Sequence, residues 1–109
     1  VKQTQLLKGV LEGCVLAIIQ KEKIYGYELV QELRKSGFDD IVGGTVYPLL
    51  QKLEKQAAII GDMQSSPDGP DRKYYILTEI GNERLLEFKE QWLLLTNNVD
   101  HILEGDEIK

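Results

Sequence analysis

The chain is poor in reactive and cross-linking residues. It has one cysteine, one histidine, one tryptophan and one methionine in 109 residues. A lone Cys14 allows no intrachain disulfide, and its neighbours Gly13, Val15 and Leu16 read as the surroundings of a small buried apolar residue. His101 and Cys14 alone make no zinc site. The chain holds no Ser-His-Asp set, no Gly-rich phosphate loop and no helical carboxylate pattern, so neither an enzyme nor a cofactor or metal protein is expected. Its longest apolar run, Val15 to Ile19, falls far short of the ~18 residues a membrane span needs. With no basic-then-apolar leader, the cytoplasm is the expected compartment and no membrane is expected as a partner.

Charge of one sign is also missing from most of the chain. The net charge is −5. Residues 1–78 carry ten Lys/Arg and ten Asp/Glu, whereas residues 79–109 carry three basic and eight acidic groups. The acidic excess therefore sits in the last segment, and a neutral front with clustered cations can still approach phosphate.

Hydrophobic spacing supplies the elements. Leu7, Leu11, Cys14 and Ile18 predict a helix over Gln3–Gln20. Within it Gly9, Gly13 and Ala17 form a row at every fourth position. That row either receives another helix at close range or consists of tolerated glycines. Tyr25–Ser36 reads as a second helix, stopped by Gly37. A third runs from about Thr45 to Gln56, with Val46, Leu49, Leu50 and Leu53 inward and Pro48 near its first turn. Ala58–Gln64 and Lys73–Leu77 read as the strands of a hairpin around the turn-rich Ser65–Asp71. Thr78 caps a last helix, Glu79–Glu104, about 39 Å long at ~1.5 Å per residue.

This order, three helices, a two-stranded wing and a long helix, is mainly α and describes a winged helix-turn-helix. The expected organisation is one compact unit: a DNA-binding part over 1–78 and a dimerisation helix over 79–109. Leu85, Phe88, Trp92, Leu95, Val99 and Ile102 alternate at three and four positions, a seam longer than a three-helix core requires. A second subunit is expected on it, with Gly9/Gly13/Ala17 receiving the partner's last helix.

In such a fold the third helix enters the major groove and turns Thr45, Tyr47, Pro48, Gln51, Lys52 and Lys55 outward. Gln51 can pair with adenine or contact phosphate, the lysines neutralise phosphates, and Tyr47 offers a hydroxyl. Arg72 and Lys73 follow the wing tip and suit backbone or minor groove. Phe88 and Trp92, large rings in mid-seam, suit a gap between subunits that a small aromatic effector could enter. The acidic balance favours a competing reading, a winged-helix module that binds proteins instead of DNA.

Four segments stand out in order along the chain: Leu6-Leu7-Lys8-Gly9-Val10-Leu11; Tyr25-Gly26-Tyr27-Glu28-Leu29; Gly44-Thr45-Val46-Tyr47-Pro48-Leu49-Leu50 with Leu53-Glu54-Lys55; and Gly69-Pro70-Asp71-Arg72-Lys73-Tyr74-Tyr75 running into Leu77-Thr78-Glu79-Ile80-Gly81. Together they resemble the PadR-like transcriptional regulators in their short form. The resemblance implies a homodimer on duplex DNA with an inverted-repeat operator. It further implies a C-terminal helix that pairs subunits, and repression relieved by small aromatic or amphipathic molecules. It puts Thr45, Tyr47 and Pro48 at the groove entrance and Arg72 and Lys73 at phosphate. Where the family usually has glycine after the third helix this chain has Ala57, which predicts a longer helix. Val42-Gly43 stands where a polar cap is usual.

Overall fold

The computed structural model describes residues 3–7 and 9–105. Lys8 of the first motif, and Asp106, Glu107 and Lys109 of the acidic segment, lie outside them. The elements are α1 (Gln3–Leu7), α2 (Leu11–Lys21), β1 (Ile24–Tyr25), α3 (Gly26–Lys35), α4 (Gly43–Lys55), β2 (Ile59–Ser66), β3 (Gly69–Leu77) and α5 (Glu79–Leu103).

The first helix expected from the sequence is two. Gly9 takes a φ of +91°, and the Val10 N–H donates to the Leu7 carbonyl at 2.8 Å, so the chain turns before α2 begins. Only glycine makes that left-handed turn without a Cβ penalty. The small-residue row is broken accordingly. At Gly13 the close approach is real, but the group that sits there is the ring of Phe88 from the chain's own α5.

The sheet is three-stranded and antiparallel, ordered β1-β3-β2. The added strand is β1, where Ile24 and Tyr25 pair with Tyr75 and Tyr74. The second helix therefore starts at Gly26, one residue later than expected, because Tyr25 is in the sheet. The hairpin is longer than its turn signals suggest: Ser66 pairs with Gly69, only Pro67-Asp68 lies between the strands, and the register shifts between Gln64 and Ser66. Pro70 is tolerated because β1 pairs with β3 only at positions 74 and 75, leaving the tip an edge.

The core lies where α2, α3, α4 and the inner face of the sheet meet. Val15, Leu16, Leu29, Leu33, Val46, Leu50, Leu53 and Ile59 are fully buried there, with Leu85 from the start of α5. No polar or charged side chain is buried among the described residues. Cys14 packs against this core half-buried, and burial pushes its thiol above the ordinary value.

Both α3 and α4 end in the same backbone motif. Gly37 (φ +113°) donates to Arg34 at 3.1 Å and Phe38 to Leu33 at 3.1 Å. After α4, Ala57 (φ 60°) donates to Glu54 at 3.0 Å and Ala58 to Leu53 at 3.0 Å. The expected extension of α4 does not occur: alanine is held in the left-handed conformation that glycine usually takes.

Candidate nucleic-acid interface

Helix α4 starts at Gly43, two residues earlier than expected, with Val42 as its N-cap and no side-chain cap bond. Pro48 is therefore in the second turn, not the first, and leaves the Gly44 carbonyl without its helical donor. The period of 3.6 sorts the helix cleanly. Val46, Leu50 and Leu53 are buried, Leu49 is half-buried, and Thr45, Tyr47, Pro48, Gln51, Lys52 and Lys55 are exposed along the opposite side. Tyr47 is the best-positioned of these. Its ring lies between Gly26 and Gly43, where an added Cβ would come within 2.8 and 2.6 Å of it.

Arg72 and Lys73 are adjacent on β3, so their side chains leave opposite faces of the sheet. The Arg72 guanidinium lies 4.6 Å from the Tyr25 ring centroid on the outer face. A hydrogen bond with Tyr74, then the Tyr25, Tyr74 and Asp68 hydroxyl and carboxyl groups, raise its already high pKa. Tyr25 and Tyr74 meet edge to face at 5.4 Å, and Lys23 lies 5.7 Å from the Tyr74 ring. Lys73 points the other way, toward α4. Its ammonium donates to Glu54 at 2.7 Å, which raises its pKa, and it lies 5.7 Å from the Tyr75 ring.

Between α4 and β3 runs an open groove of about 790 Å³, lined by Pro48, Gln51, Lys52, Glu54, Lys55, Gln56 and Lys73. Three ammonium groups and one carboxylate face it. Lys52 is also 3.8 Å from the Glu12 carboxylate of α2. Sequence reasoning missed these carboxylate partners and the tyrosines around Arg72. Strand alternation was the available signal for separating Arg72 from Lys73; nothing local points to Glu54 as the acceptor.

The seam of α5 divides in two. Leu85 is buried and Phe88 half-buried against α2, whereas Trp92, Leu95, Val99 and Ile102 are exposed, as are Leu93, Leu94 and Leu103 beside them. The rings of Phe88 and Trp92 stack with centroids 6.2 Å apart and 17° between planes. No helix among the described residues is long and apolar enough to cross a membrane.

Residues 15–87 match the sequence model of the transcriptional regulator PadR-like family. The chain belongs to that family. A Streptococcus transcriptional regulator of known crystal structure is 62% identical, with a TM-score of 0.82 over 90% of this chain and 96% of that one. A PadR-like transcriptional regulator from Bacillus cereus is 47% identical, with a TM-score of 0.85 over 94% and 99%. An uncharacterized protein of Lysinibacillus sphaericus is 32% identical over 105 residues, 94% of this chain and 96% of its own. This PadR-like chain is thus a transcriptional regulator with a winged-helix fold rather than an enzyme, and PadR regulators bind DNA.

Proposed function

We propose that this PadR-like regulator is a sequence-specific repressor that binds an inverted-repeat operator as a homodimer in the cytoplasm. The observation that carries the reading is the outer face of α4. Thr45, Tyr47, Pro48, Gln51, Lys52 and Lys55 are exposed on one side of a helix whose other side is anchored in the core. In the proposed complex Gln51 reads base edges, Lys52 and Lys55 contact phosphates, and Thr45, Tyr47 and Pro48 approach the groove at the helix start. Arg72 and Lys73 contact the backbone beside the wing.

The unpartnered half of the α5 seam supports a second copy as its cover. Two-fold pairing would set the recognition helices about one DNA turn, ~34 Å, apart. The stacked Phe88 and Trp92 support an effector reading of the same region: a small aromatic molecule enters between subunits and favours a spacing that no longer fits the operator. Coupling of ~1–3 kcal/mol suffices for such release.

The test is a set of duplex titrations at several salt concentrations. Replacing Lys52, Lys55, Arg72 and Lys73 together by alanine is expected to weaken binding to every duplex. The salt slope should flatten by about one for each phosphate left without its cation. Gln51→Ala is expected to relax preference at particular base pairs. Equal binding by wild type and the quadruple variant would end the reading. Partner binding indifferent to salt would instead support the protein-interaction module to which the acidic balance points.

A further inference from the structure

Among the described residues, three of the four cations expected at phosphate have a partner within the chain: beside the groove Lys73 has Glu54 and Lys52 has Glu12, and on the outer face Arg72 has Tyr25 and Tyr74. The Lys73–Glu54 contact is the shortest ion pair among the described residues at 2.7 Å, and it links the wing to the recognition helix. Its geometry is built by the backbone. Strand alternation sends Lys73 toward α4, and the missing side chain of Gly61, on the neighbouring strand, leaves the slot along which the Lys73 stem lies. Glu54 sits one residue before Lys55 and three after Gln51, and it lines the same groove. A carboxylate oxygen there offers Lys73 what a phosphate oxygen would: an anionic acceptor at hydrogen-bond distance.

We propose that Glu54 is an autoinhibitory competitor for DNA, occupying Lys73 in the free protein so that a duplex must displace it. This rests on the DNA reading of the preceding section. Docking exchanges Lys73 from Glu54 to phosphate and leaves a bare carboxylate beside a polyanion, so each complex loses part of what the lysine contributes. The loss does not depend on base sequence. Glu54 therefore sets overall affinity and its salt range, while the outer residues of α4 set preference. Beside the groove two of the cations, Lys73 and Lys52, each have a carboxylate close by, Glu54 and Glu12.

The experiment is a double-mutant cycle in the full chain. Wild type, Glu54→Gln, Lys73→Gln and the double variant are titrated with one mixed-sequence duplex and with a selected operator, at low and physiological salt. Glu54→Gln is expected to bind both duplexes about three- to tenfold more tightly at low salt, the scale set by one partly exposed ion pair and one repulsive charge. Its salt slope steepens by up to about one. In the Lys73→Gln background the gain from Glu54→Gln shrinks to less than half. A Glu54→Gln variant that binds equally or more weakly, with its melting temperature lowered, would make the pair a structural strut and overturn the proposal. An undiminished gain in the Lys73→Gln background would also overturn it, since Glu54 would then act as a bare charge. Both outcomes leave the DNA reading intact as long as wild type binds duplex with a steep salt slope. Failure of wild type to bind any duplex removes that reading and this one together.

Discussion

The Thr78 hydroxyl donates to the Ala57 carbonyl at 2.5 Å and accepts from the Gly81 N–H at 3.1 Å. One side chain thus caps α5 and grips the left-handed residue that ends α4. The Thr78 N–H adds a bond to the Ala58 carbonyl at 3.1 Å, so α4 and α5 are tied at a single corner.

Two substitutions at this corner are expected to move stability in opposite directions. Thr78→Ala removes the cap and the bond to Ala57, and costs about 1–2 kcal/mol. Ala57→Gly relieves a Cβ held at φ 60° and gains roughly 0.5–1 kcal/mol after the added freedom of the unfolded glycine is counted. Thermal melts of the two variants check both signs. A destabilised Ala57→Gly would mean that alanine is unstrained there.

Two glycines predict a similar contrast. A Cβ on Gly81 would run into the Ala58 carbonyl oxygen and the Leu77 side chain, and the backbone atom has little room to give. Gly81→Ala is expected to cost about 1–3 kcal/mol. At Gly44 nothing lies within 4 Å of an added Cβ, and the position is helical. Gly44→Ala is expected to gain about 0.5–1 kcal/mol. Denaturant midpoints measured side by side decide it.

What could be read in advance follows from how local each cause is. Val46, Leu50 and Leu53 were legible because a helix repeats its inner face every 3.6 residues, and Thr78 because caps are chosen locally. Strand β1 was not. Ile24 and Tyr25 are strand only because Tyr75 and Tyr74, far along the chain, pair with them. Ala57 misled for the same reason: local strain argued for a longer helix, and a tertiary bond from Thr78 overrode it. At the interface, exposure of the α4 residues was legible from spacing. The occupation of Lys73 by Glu54 required knowing how the wing folds back on the helix.

Cys14 gives a prediction with pH. Burial holds its thiol above the ordinary 9.0, so alkylation by iodoacetamide near neutral pH should run severalfold slower than with a free thiol. Tyr75 is likewise pushed above 10.0, first by burial. Each group gives up its proton at higher pH in the folded chain than in the unfolded one. Their stabilising share is thus complete below the ordinary values and lost as pH climbs through the folded ones. Melting temperature should fall across this alkaline window, and Cys14→Ala should remove the earlier part of the fall. Rapid alkylation at neutral pH would contradict the assignment.

The exposed half of the α5 seam is expected to pair two copies of the chain. Trp92 is 43% exposed and Leu95 54% exposed in the single chain, while Phe88, one turn before Trp92, is already seated on Gly13. Fully burying a leucine against a second copy is worth ~1.5–3 kcal/mol, so a few such residues suffice for a stable pair. A charge placed among them has no partner, and Leu95→Glu should therefore yield monomers in sedimentation. Two half-sites would then bind independently, and operator affinity should fall by a factor on the order of 10² or more. Trp92, the single tryptophan, reports the same event from within: its emission should be blue-shifted in the wild type and move to the red in Leu95→Glu. A planar aromatic effector that enters between subunits should quench this emission saturably in the dimer and leave the Leu95→Glu chain unaffected. If the intact chain sediments as a monomer at micromolar concentration, the seam does not pair subunits. Saturable binding that persists in Leu95→Glu would show instead that Phe88 and Trp92 of one chain hold the ligand without a partner.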